Sequence, residues 1–352
     1  MRTTRALPFP FVVIRRCIHA VASWMKFTGR GSFERLMRTH TYQAYGLSIQ
    51  SALPIPELVP GDPEGESSDV VVRYGTLAPP QPERMQTNYF IDARAEGVYY
   101  FIKEIGGVLV RAGREIIIDP LPGSVEKGFR FLVSGIAMGL LLHQRGVLTL
   151  HASAVSIAGE VAAFIGWKGM GKSTTAAALH ARGHPVITDD LLVLEFERDR
   201  ASVLPGFPSL KLWPEAVTAA FGDNPEGLPR VHPDATKRAR SVRTQFPRDR
   251  QPLKCIYVLA YADEGTPTEI DAIAVRDAYI ELIRHSFALR LLGEQGSTAV
   301  HAQQCARLVR RIPVRRLKRA HNLDEVSQIA RRVEADVLEM RVNAEENESL
   351  IG

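Results

Sequence analysis

The chain has 352 residues and a mass of 39.0 kDa, long enough for one large domain or two modest ones with hydrophobic cores of their own. Hydrophobic residues make up 45% and charged residues 24% of the sequence, a balance that excludes a disordered, collagen-like or coiled-coil protein. The net charge of +5 comes from the N-terminus, since residues 1–40 hold eight Lys or Arg and one acidic residue while residues 41–352 carry −2. We therefore expect no nucleic-acid partner.

Residues 1–40 form a basic extension that we interpret as disordered. Its apolar stretches are short and are interrupted by Arg15 and Arg16, so they cannot form a helix that crosses a bilayer. Two alternatives remain for this segment. One is that translation starts at Met25 or Met37, and the other is an amphipathic anchor on a membrane surface.

The other long apolar run, residues 131–142, is also shorter than the ~20 residues that a bilayer requires. We predict a buried helix there, capped by Ser124 and ended by Gly146, and no transmembrane segment. The chain has three cysteines that are far apart, Cys17, Cys255 and Cys305. They predict neither a disulfide framework nor a clustered zinc site, and they favour a cytoplasmic location.

Residues 41–123 are predicted to form a β-rich N-terminal domain for docking or support. Four short runs of β-branched and aromatic residues predict strands, at positions 70–72, 98–102, 108–110 and 116–118. Ala112 and Gly113 separate the last two runs and predict a hairpin.

Residues 124–342 alternate between strand and helix patterns and are predicted to form an α/β domain, followed by a C-terminal tail at 343–352. The predicted strands are 147–157, 161–165, 186–188 and 253–260. The predicted helices are 172–182, 275–292 and a last long helix, for which Asn322 and Glu325 predict the cap.

A glycine-rich loop lies between the strand at 161–165 and the helix at 172–182. Residues 166–173 read Gly-Trp-Lys-Gly-Met-Gly-Lys-Ser, which matches G-x-x-x-x-G-K-[ST]. Glycines let the loop turn its N–H groups inward, and these groups with the helix N-terminus make an anion site. Lys172 would contact the β and γ phosphates, and Ser173 would offer a hydroxyl to Mg²⁺.

Asp189 and Asp190 follow the next predicted strand, sixteen residues after Ser173. Neighbouring strand residues point to opposite faces, so we expect different roles: one holds Mg²⁺ and the other accepts a proton from an attacking hydroxyl. An exposed loop pair or a cap for the next segment is the alternative. His151, on the strand before the loop strand, is either a structural residue or a partner of the base or the γ-phosphate.

At these residues the sequence resembles the HPr kinase/phosphorylase family and its HPr-kinase-like relatives. The resemblance covers residues 146–194, with the histidine, the phosphate loop, the helix that ends in Arg-Gly-His and the Asp pair at this spacing. It implies an α/β fold with a phosphoenolpyruvate-carboxykinase-like P-loop nucleotide domain, here joined to a smaller β-rich N-terminal domain. It also implies ATP and Mg²⁺ as cofactors and transfer of the γ-phosphoryl group to a serine hydroxyl.

The resemblance implies roles for individual residues. Asp189 and His151 resemble the family's proton-handling pair, and Lys172 is counted with them as catalytic. Ser173 resembles the family's metal contact, and Asp190 resembles a carboxylate that binds the metal or lies behind its ligands. The sequence leaves open which aspartate is the base and which binds the metal. The residues expected to bind the nucleotide are Gly166, Trp167, Lys168, Gly169, Met170, Gly171, Lys172, Ser173 and Thr174.

Two departures from the family pattern concern the substrate. Thr174 stands where the family usually has Glu, and residues 205–214 lack the Arg-Gly-x-Gly signature tied to phosphorolysis. They weaken the case for phosphorolysis and for HPr as substrate. The layout resembles more closely the HPr-kinase-like proteins of lasso-peptide biosynthesis, which phosphorylate a serine of a precursor peptide.

We therefore expect an Mg-ATP-dependent serine kinase whose partner is a peptide or protein with an acceptor serine. The alternatives are an HPr-type serine kinase/phosphorylase, a small-molecule kinase, and a non-catalytic ATP-binding sensor or docking protein. The acceptor, the reversibility and the oligomeric state, a homo-oligomer included, stay open.

Two basic groups in the C-terminal half are either solvated surface or a clamp for phosphates or an acidic substrate tail. The first holds Lys237, Arg238, Arg240 and Arg243, and the second holds Arg307, Arg310, Arg311, Arg315, Arg316, Lys318 and Arg319. The sequence does not fix whether Arg284, His285 and Arg290 approach the site.

Overall fold

The computed structural model of the protein describes residues 39–351 apart from a few short gaps. The gaps are Glu64, Glu66, residues 81–86, Ala95, Asp199, Pro233, Asp234, Glu264, Ala288 and residues 290–298, and only the backbone is described for residues 344–351. The extension predicted at 1–40, except its last two residues, and Arg290 lie outside the described residues.

The N-terminal region is one mixed sheet of eight strands in the order β3-β1-β2-β4-β8-β7-β6-β5. Their bounds are β1 (His40–Ala44), β2 (Leu47–Ser51), β3 (Val59–Pro60), β4 (Val70–Tyr74), β5 (Tyr89–Arg94), β6 (Gly97–Ile102), β7 (Gly106–Arg111) and β8 (Glu115–Pro120). Strand β4 runs parallel to β2 and to β8, and the other pairs are antiparallel. The predicted β-rich region is confirmed.

The hairpin predicted around Ala112 and Gly113 is present between β7 and β8. Arg111 pairs with Glu115, and the two turn residues have φ of 52° and 61°. A turn with φ positive at both central residues matches the right-handed twist of the strands, which explains why a glycine follows Ala112.

A helical segment connects the two regions. It consists of α1 (Glu126–Leu132), a π-helical turn (Val133–Ala137) and α2 (Met138–Gln144). The buried helix predicted for 131–142 is confirmed, and Gly146, with φ of 70°, follows its end. The predicted cap is wrong, because Val125 precedes the first turn and no side chain caps it.

The second region is built on a nine-stranded sheet and a two-stranded ribbon. Its strands are β9 (Leu148–Leu150), β10 (Ala152–Ile157), β11 (Glu160–Ile165), β12 (Val186–Thr188), β13 (Leu192–Glu197), β14 (Arg200–Leu204), β15 (Ser209–Leu212), β16 (Arg238–Ser241), β17 (Gln251–Tyr261), β18 (Glu269–Ala272) and β19 (Val314–Arg319). The main path is β12-β10-β11-β17-β14-β13-β9, with β19 between β17 and β18, while β15 and β16 form the ribbon.

The strand predicted for 147–157 is broken at His151, so one predicted strand is two. Strand β9 pairs with β13, whereas β10 pairs with β11 and β12. The break occurs because the His151 N–H donates to the carbonyl of His285 at 2.8 Å instead of to a neighbouring strand. The chain thereby changes partners at the histidine.

Among the described residues, five helices cover the nine-stranded sheet, and they are α3 (Lys172–Ala181), α4 (Pro214–Phe221), α5 (Val275–Arg284), α6 (Ala299–Val309) and α7 (Val326–Ile351). Apolar residues of α3, α4 and α7 pack on one face, and those of α5 and α6 on the other. On β11, Ala162 and Phe164 face the first set while Ala163 and Ile165 face the second, as strand alternation requires.

Two helix predictions need correction. The helix predicted for 275–292 ends at Arg284, and the backbone after it bridges to β9 through Ser286 and Leu150. Asn322 does not cap the last helix, which begins at Val326; its side-chain oxygen instead accepts the Asp324 N–H.

The last helix continues through position 343, where we predicted that the tail starts. It is anchored to the sheet by Asp336, which accepts hydrogen bonds from the Tyr257 hydroxyl and from Arg315, each at 2.6 Å.

The two regions share apolar packing. Leu191, Val193 and Phe207 belong to the same hydrophobic cluster as the N-terminal sheet and α1–α2, which brings the N-terminal region against the segments that follow Asp190. Of the helices described, none has the length and apolarity needed to pass through a bilayer.

Candidate functional site

The loop of residues 166–171 joins β11 to α3, as predicted. Gly166, Gly169 and Gly171 have φ of 156°, 91° and 83°, a region that residues with side chains rarely adopt. The first N–H groups of α3 have no acceptor within the helix. The loop and the positive end of the helix therefore form a concave surface suited to an anion.

Lys172 lies inside this loop. Its Nζ donates to the carbonyl oxygens of Gly166 at 2.9 Å and Trp167 at 3.4 Å, and the residue is only 7% exposed. The loop thus holds a positive charge next to its own N–H groups, where phosphate oxygens would gain both kinds of contact.

Two side chains support the loop from outside. Arg319 at the end of β19 is buried and donates to the Met170 carbonyl at 2.9 Å, and the Tyr261 hydroxyl donates to the Gly169 carbonyl at 2.8 Å. Burial lowers the pKa of the Arg319 guanidinium, and the neighbouring Tyr261 partly offsets this. A Cβ at Gly171 would lie 2.1 Å from Nη2 of Arg319, so the glycine makes this contact sterically feasible.

Asp189 is buried and fully engaged by three donors. Its Oδ1 accepts the hydroxyls of Ser153 at 2.6 Å and Ser173 at 2.8 Å, and its Oδ2 accepts the Lys211 main-chain N–H at 2.9 Å. Burial and the charge of Asp190 raise the pKa of Asp189, although the Ser153 and Lys211 hydrogen bonds oppose the shift. The carboxylate therefore ties the first turn of α3 to β10 and β15.

Asp190 differs from Asp189 in its exposure and in its partners. Its φ of 77° turns the chain sharply, and its side chain stays 30% exposed. The Lys211 Nζ donates to Oδ2 at 2.7 Å. Burial would raise the pKa of Asp190, but the charges of Lys211 and His151 outweigh burial and hold that pKa below its usual range.

His151 lies at the strand break beside this turn. Its Nδ1 is 3.1 Å from the carbonyl oxygen of Asp190, so the ring contacts the main chain of the aspartate. His285, whose carbonyl accepts the His151 N–H, is buried with its ring 5.1 Å from that of Trp167. The end of α5 therefore supports both the histidine and the loop.

These groups line one cavity of about 770 Å³. The predicted residues that line it are His151, Lys168, Gly169, Gly171, Lys172, Ser173, Thr174 and Asp190, and unpredicted ones include Phe131, Lys211, Trp213 and His232. Asp189 is not among these lining residues, but it accepts a hydrogen bond from Ser173, which is. Gly166, Trp167 and Met170 are not among the described lining residues: Gly166 holds Lys172, Trp167 faces His285, and Met170 is bound by Arg319.

Sequence reasoning missed Lys211 as a site residue. It lies on β15 between Leu210 and Leu212, both fully buried. A lysine between two buried leucines is the ordinary alternation of a strand with one buried face, so no local signal indicated that Lys211 belongs to the site. Its contact with Asp190 spans 21 positions and depends on the β15–β16 ribbon, which the sequence pattern did not predict.

Most Lys and Arg residues of the two basic groups in the C-terminal half make contacts within the protein. Arg238 pairs with Glu226, Arg240 with Asp223, Arg315 with Asp336 and Lys318 with Asp271, while Arg307 and Arg311 bind the Arg198 carbonyl and Arg243 binds the Leu58 carbonyl. Lys237 lines the cavity, and Arg319 supports the loop. Arg284 pairs with Glu281.

The sequence resemblance implies Mg²⁺ at this site. Within the described residues, no three His, Cys, Asp or Glu side chains are grouped as a preformed metal site. A magnesium ion bound to nucleotide phosphates needs only one or two protein oxygens. The hydroxyl of Ser173 and the carboxylates of Asp189 and Asp190 are oxygen donors of this kind, so the residues present fit the ion.

Comparison with known proteins gives little further information. No protein-family model matches the sequence, and no curated protein matches it. Among solved structures, the HPr(Ser) kinase/phosphatase from Coxiella burnetii matches 56% of this chain and 98% of its own, with 16% sequence identity and a TM-score of 0.28. This is a distant structural relationship.

Proposed function

We propose that the protein is an Mg-ATP-dependent kinase of the HPr-kinase type, with a phosphoenolpyruvate-carboxykinase-like nucleotide domain, that phosphorylates a serine of a peptide or protein. The observation that carries the proposal is the single cavity formed by Lys172, Ser173, Asp190 and His151, with Asp189 hydrogen-bonded to Ser173 beneath it. Phosphoryl transfer depends on positioning and charge stabilisation, and this set of groups supplies both.

Phosphate binding falls to the loop. The N–H groups at the start of α3 and the ammonium of Lys172 bind phosphate oxygens, and Arg319 and Tyr261 keep the loop in shape from outside. Ser173, with Asp189 behind it, is the group that would hold Mg²⁺. When bound, the ion would neutralise charge on the β and γ phosphates.

Asp190 is the residue we assign to the acceptor. Both oxygens of Asp189 are taken by protein donors, whereas the Asp190 carboxylate is partly exposed in the cavity. The serine oxygen bonds to the γ-phosphorus as the bond to the β–γ bridging oxygen breaks, ADP leaves, and Asp190 accepts the hydroxyl proton. This assignment reverses the roles that the family resemblance suggested for the two aspartates.

Lys211 and His151 position this carboxylate. Lys211 donates to the Asp190 side chain, and His151 contacts the Asp190 carbonyl. Because the transition state of phosphoryl transfer is loose, the base accepts its proton late and need not be strong. An aspartate with a lowered pKa is compatible with that role.

The test is incubation of the full-length protein with Mg-ATP and serine-containing peptides, followed by intact-mass measurement of the peptides and quantification of ADP. The expected result is one added phosphoryl group for each ADP formed. Lys172→Met should remove both nucleotide binding and product. Lys103→Met, at an exposed lysine outside the described lining of the cavity, is the matched control and should retain both.

Two outcomes would overturn the proposal. Absence of affinity for adenine nucleotides would exclude an ATP-dependent enzyme. Tight binding of Mg-ATP with no phosphorylated product for any acceptor would instead indicate the non-catalytic sensor.

A further inference from the structure

A second cavity of about 400 Å³ lies beside the first. The segment around Pro56 and Glu57, helix α1, strand β15, strand β16 and the residues that follow Pro229 all contribute to its wall. Its size is within the range of small-ligand sites. The proposed phosphate site does not use it.

The lining of this cavity is strongly basic. Among the described residues that line it, five are Lys or Arg, namely Lys127, Arg130, Lys211, Arg230 and Arg243, and one, Glu57, is acidic. Phe131 and Phe207 supply apolar surface. A cavity with this excess of cations and an aromatic wall suits an anion carried on a partly apolar molecule.

Two polar atoms of the lining are buried with no hydrogen-bond partner among the described residues. They are Nε of Arg130 and Oε2 of Glu57, and the two side chains come no closer than 3.9 Å where they face each other. Buried polar atoms without partners are costly. Nη2 of Arg130 already donates to Glu126, so a carboxylate in the cavity would supply the acceptor that Nε of the same guanidinium lacks.

The two cavities are neighbours, because both are lined by Phe131, Lys211 and Val231. Lys211 stands between them, with its Nζ 2.7 Å from the Asp190 carboxylate and 4.9 Å from the centre of the Phe131 ring. A molecule bound in the second cavity could therefore extend past Lys211 and place a neighbouring group next to the Asp190 carboxylate in the first cavity.

We propose that this second cavity binds a carboxylate group of the phosphoryl acceptor, close to the hydroxyl that is phosphorylated. The inference rests on the proposed kinase function and names its substrate class: a hydroxyl-bearing acceptor with a nearby carboxylate. An acidic segment around a serine in a peptide and a small hydroxy acid share this chemistry. The loop at 166–173 serves the phosphates, and the side-chain cations of the second cavity select the acceptor.

The experiment measures fluorescence anisotropy of two labelled peptides of equal length, one with a serine between glutamates and one with a serine between glutamines. The full-length protein is titrated in the presence of Mg²⁺ and a non-hydrolysable ATP analogue. We expect the acidic peptide to bind about tenfold more tightly. Equal affinities for the two peptides would overturn the inference.

A double variant, Lys127→Gln with Arg230→Gln, locates the binding. Both residues line the second cavity and neither lines the first. The double variant should therefore bind the acidic peptide about tenfold more weakly. Its affinity for Mg-ATP and its melting temperature should stay near wild type. Arg332→Gln, on the exposed side of α7, is the matched control for charge. Unchanged affinity of the double variant for the acidic peptide would overturn the assignment of the site.

Competition with L-malate identifies the source of the carboxylate. Displacement of the labelled peptide and formation of a phosphorylated malate support a small acid, and retention of the peptide supports an acidic peptide segment. Failure of the kinase proposal gives a different pattern: selective binding of the acidic peptide persists, but neither peptide nor malate is phosphorylated. If both peptides bind with equal affinity and are phosphorylated at equal rates, the kinase proposal is supported and this inference is overturned.

Discussion

The hydroxyl of Ser173 donates to Oδ1 of Asp189 at 2.8 Å, and this bond joins the first turn of α3 to the end of β12. The two residues are sixteen positions apart in sequence. Ser173 follows β11 and Asp189 follows β12, and strand β10 lies between these two strands in the sheet. A hydroxyl that already points at a carboxylate forms an oxygen pair suited to a hard divalent cation. The bond therefore marks where Mg²⁺ dependence of nucleotide binding should originate.

Ser173→Ala should remove most of the gain in nucleotide affinity that Mg²⁺ provides. The gain is the ratio of the dissociation constants of a fluorescent ATP analogue with EDTA and with Mg²⁺. Loss of one oxygen ligand should reduce this ratio by about tenfold, with little change in the affinity measured in EDTA.

Ser153→Ala is the control, because Ser153 donates to the same oxygen of Asp189 but is fully buried and does not face the cavity. It should lower the melting temperature and leave the ratio close to wild type. A Ser173→Ala protein with an unchanged ratio would show that this hydroxyl takes no part in metal binding.

Asp190→Asn should separate transfer from binding. The amide keeps the size of the side chain but cannot accept the proton, so phosphoryl transfer should fall on the order of 10²-fold or more. The dissociation constant for Mg-ATP should stay near wild type, because the loop supplies the phosphate contacts. The measurement pairs single-turnover transfer with nucleotide titration of the same protein.

Asp189→Asn gives the contrasting result. Its new NH₂ group would oppose the N–H of Lys211 or the two serine hydroxyls, so both stability and Mg²⁺-dependent binding should decrease. If Asp190→Asn transfers phosphoryl groups at the wild-type rate, the assignment of the two aspartates is wrong.

The glycine-rich turn between β11 and α3 was predictable from sequence because its determinants are local. Gly166, Gly169 and Gly171 lie where backbone φ is positive, between an apolar strand and a helix whose first residues are Lys172 and Ser173. The hairpin at Ala112–Gly113 was predictable for the same reason.

The residues that complete the site were not predictable, because they reach it through long-range packing. Lys211 meets Asp190 through the β15–β16 ribbon, and Arg319 reaches the loop from a strand about 150 positions later. The break at His151 follows from a hydrogen bond to His285, so no local pattern revealed it. A continuous apolar run from 147 to 157 could not show that the chain changes partners.

Arg319→Gln should weaken nucleotide binding without unfolding the protein. The guanidinium is buried and bonds to the Met170 carbonyl at 2.9 Å, so its loss frees the loop from the side opposite the phosphates. Loss of a charge-assisted hydrogen bond should reduce Mg-ATP affinity by about tenfold. The control is Arg316→Gln, which lies three residues earlier on the same strand and faces the opposite side of the sheet.

Gly171→Ala tests the same contact from the other partner. A Cβ at this position would lie 2.1 Å from Nη2 of Arg319, and φ of 83° is itself unfavourable for alanine. Both effects distort the loop, so nucleotide affinity should fall at least as far as in Arg319→Gln. In the double variant Gly171→Ala with Arg319→Gln the losses should be less than additive, because the steric conflict is removed. Fully additive losses in a double-mutant cycle would show that the two residues do not act on each other.

The contact between α7 and the end of α3 predicts a pH dependence of stability. Glu334 accepts a hydrogen bond from Arg182 at 2.8 Å and lies 3.1 Å from Nε2 of His184. Burial would raise the pKa of Glu334, but Arg182 and His184 outweigh it and lower that pKa below the ordinary 4.5. A carboxyl group with a lowered folded-state pKa stabilises the protein above its unfolded-state pKa, and that contribution is lost as the pH falls through the folded-state value.

Glu334→Gln should therefore lower stability at pH 7 by about 1 kcal/mol or less, since the pair is partly exposed. The difference from wild type should shrink as the pH falls below about 4.5, because the wild-type carboxyl group then becomes neutral as well. Urea unfolding of both proteins at several pH values measures the difference. Glu339→Gln, on the exposed side of the same helix, makes the same change in charge and should show no such trend. A difference for Glu334→Gln that is constant across this range would mean that the ion pairs do not stabilise the contact between α3 and α7, and that apolar packing of the two helices alone holds it.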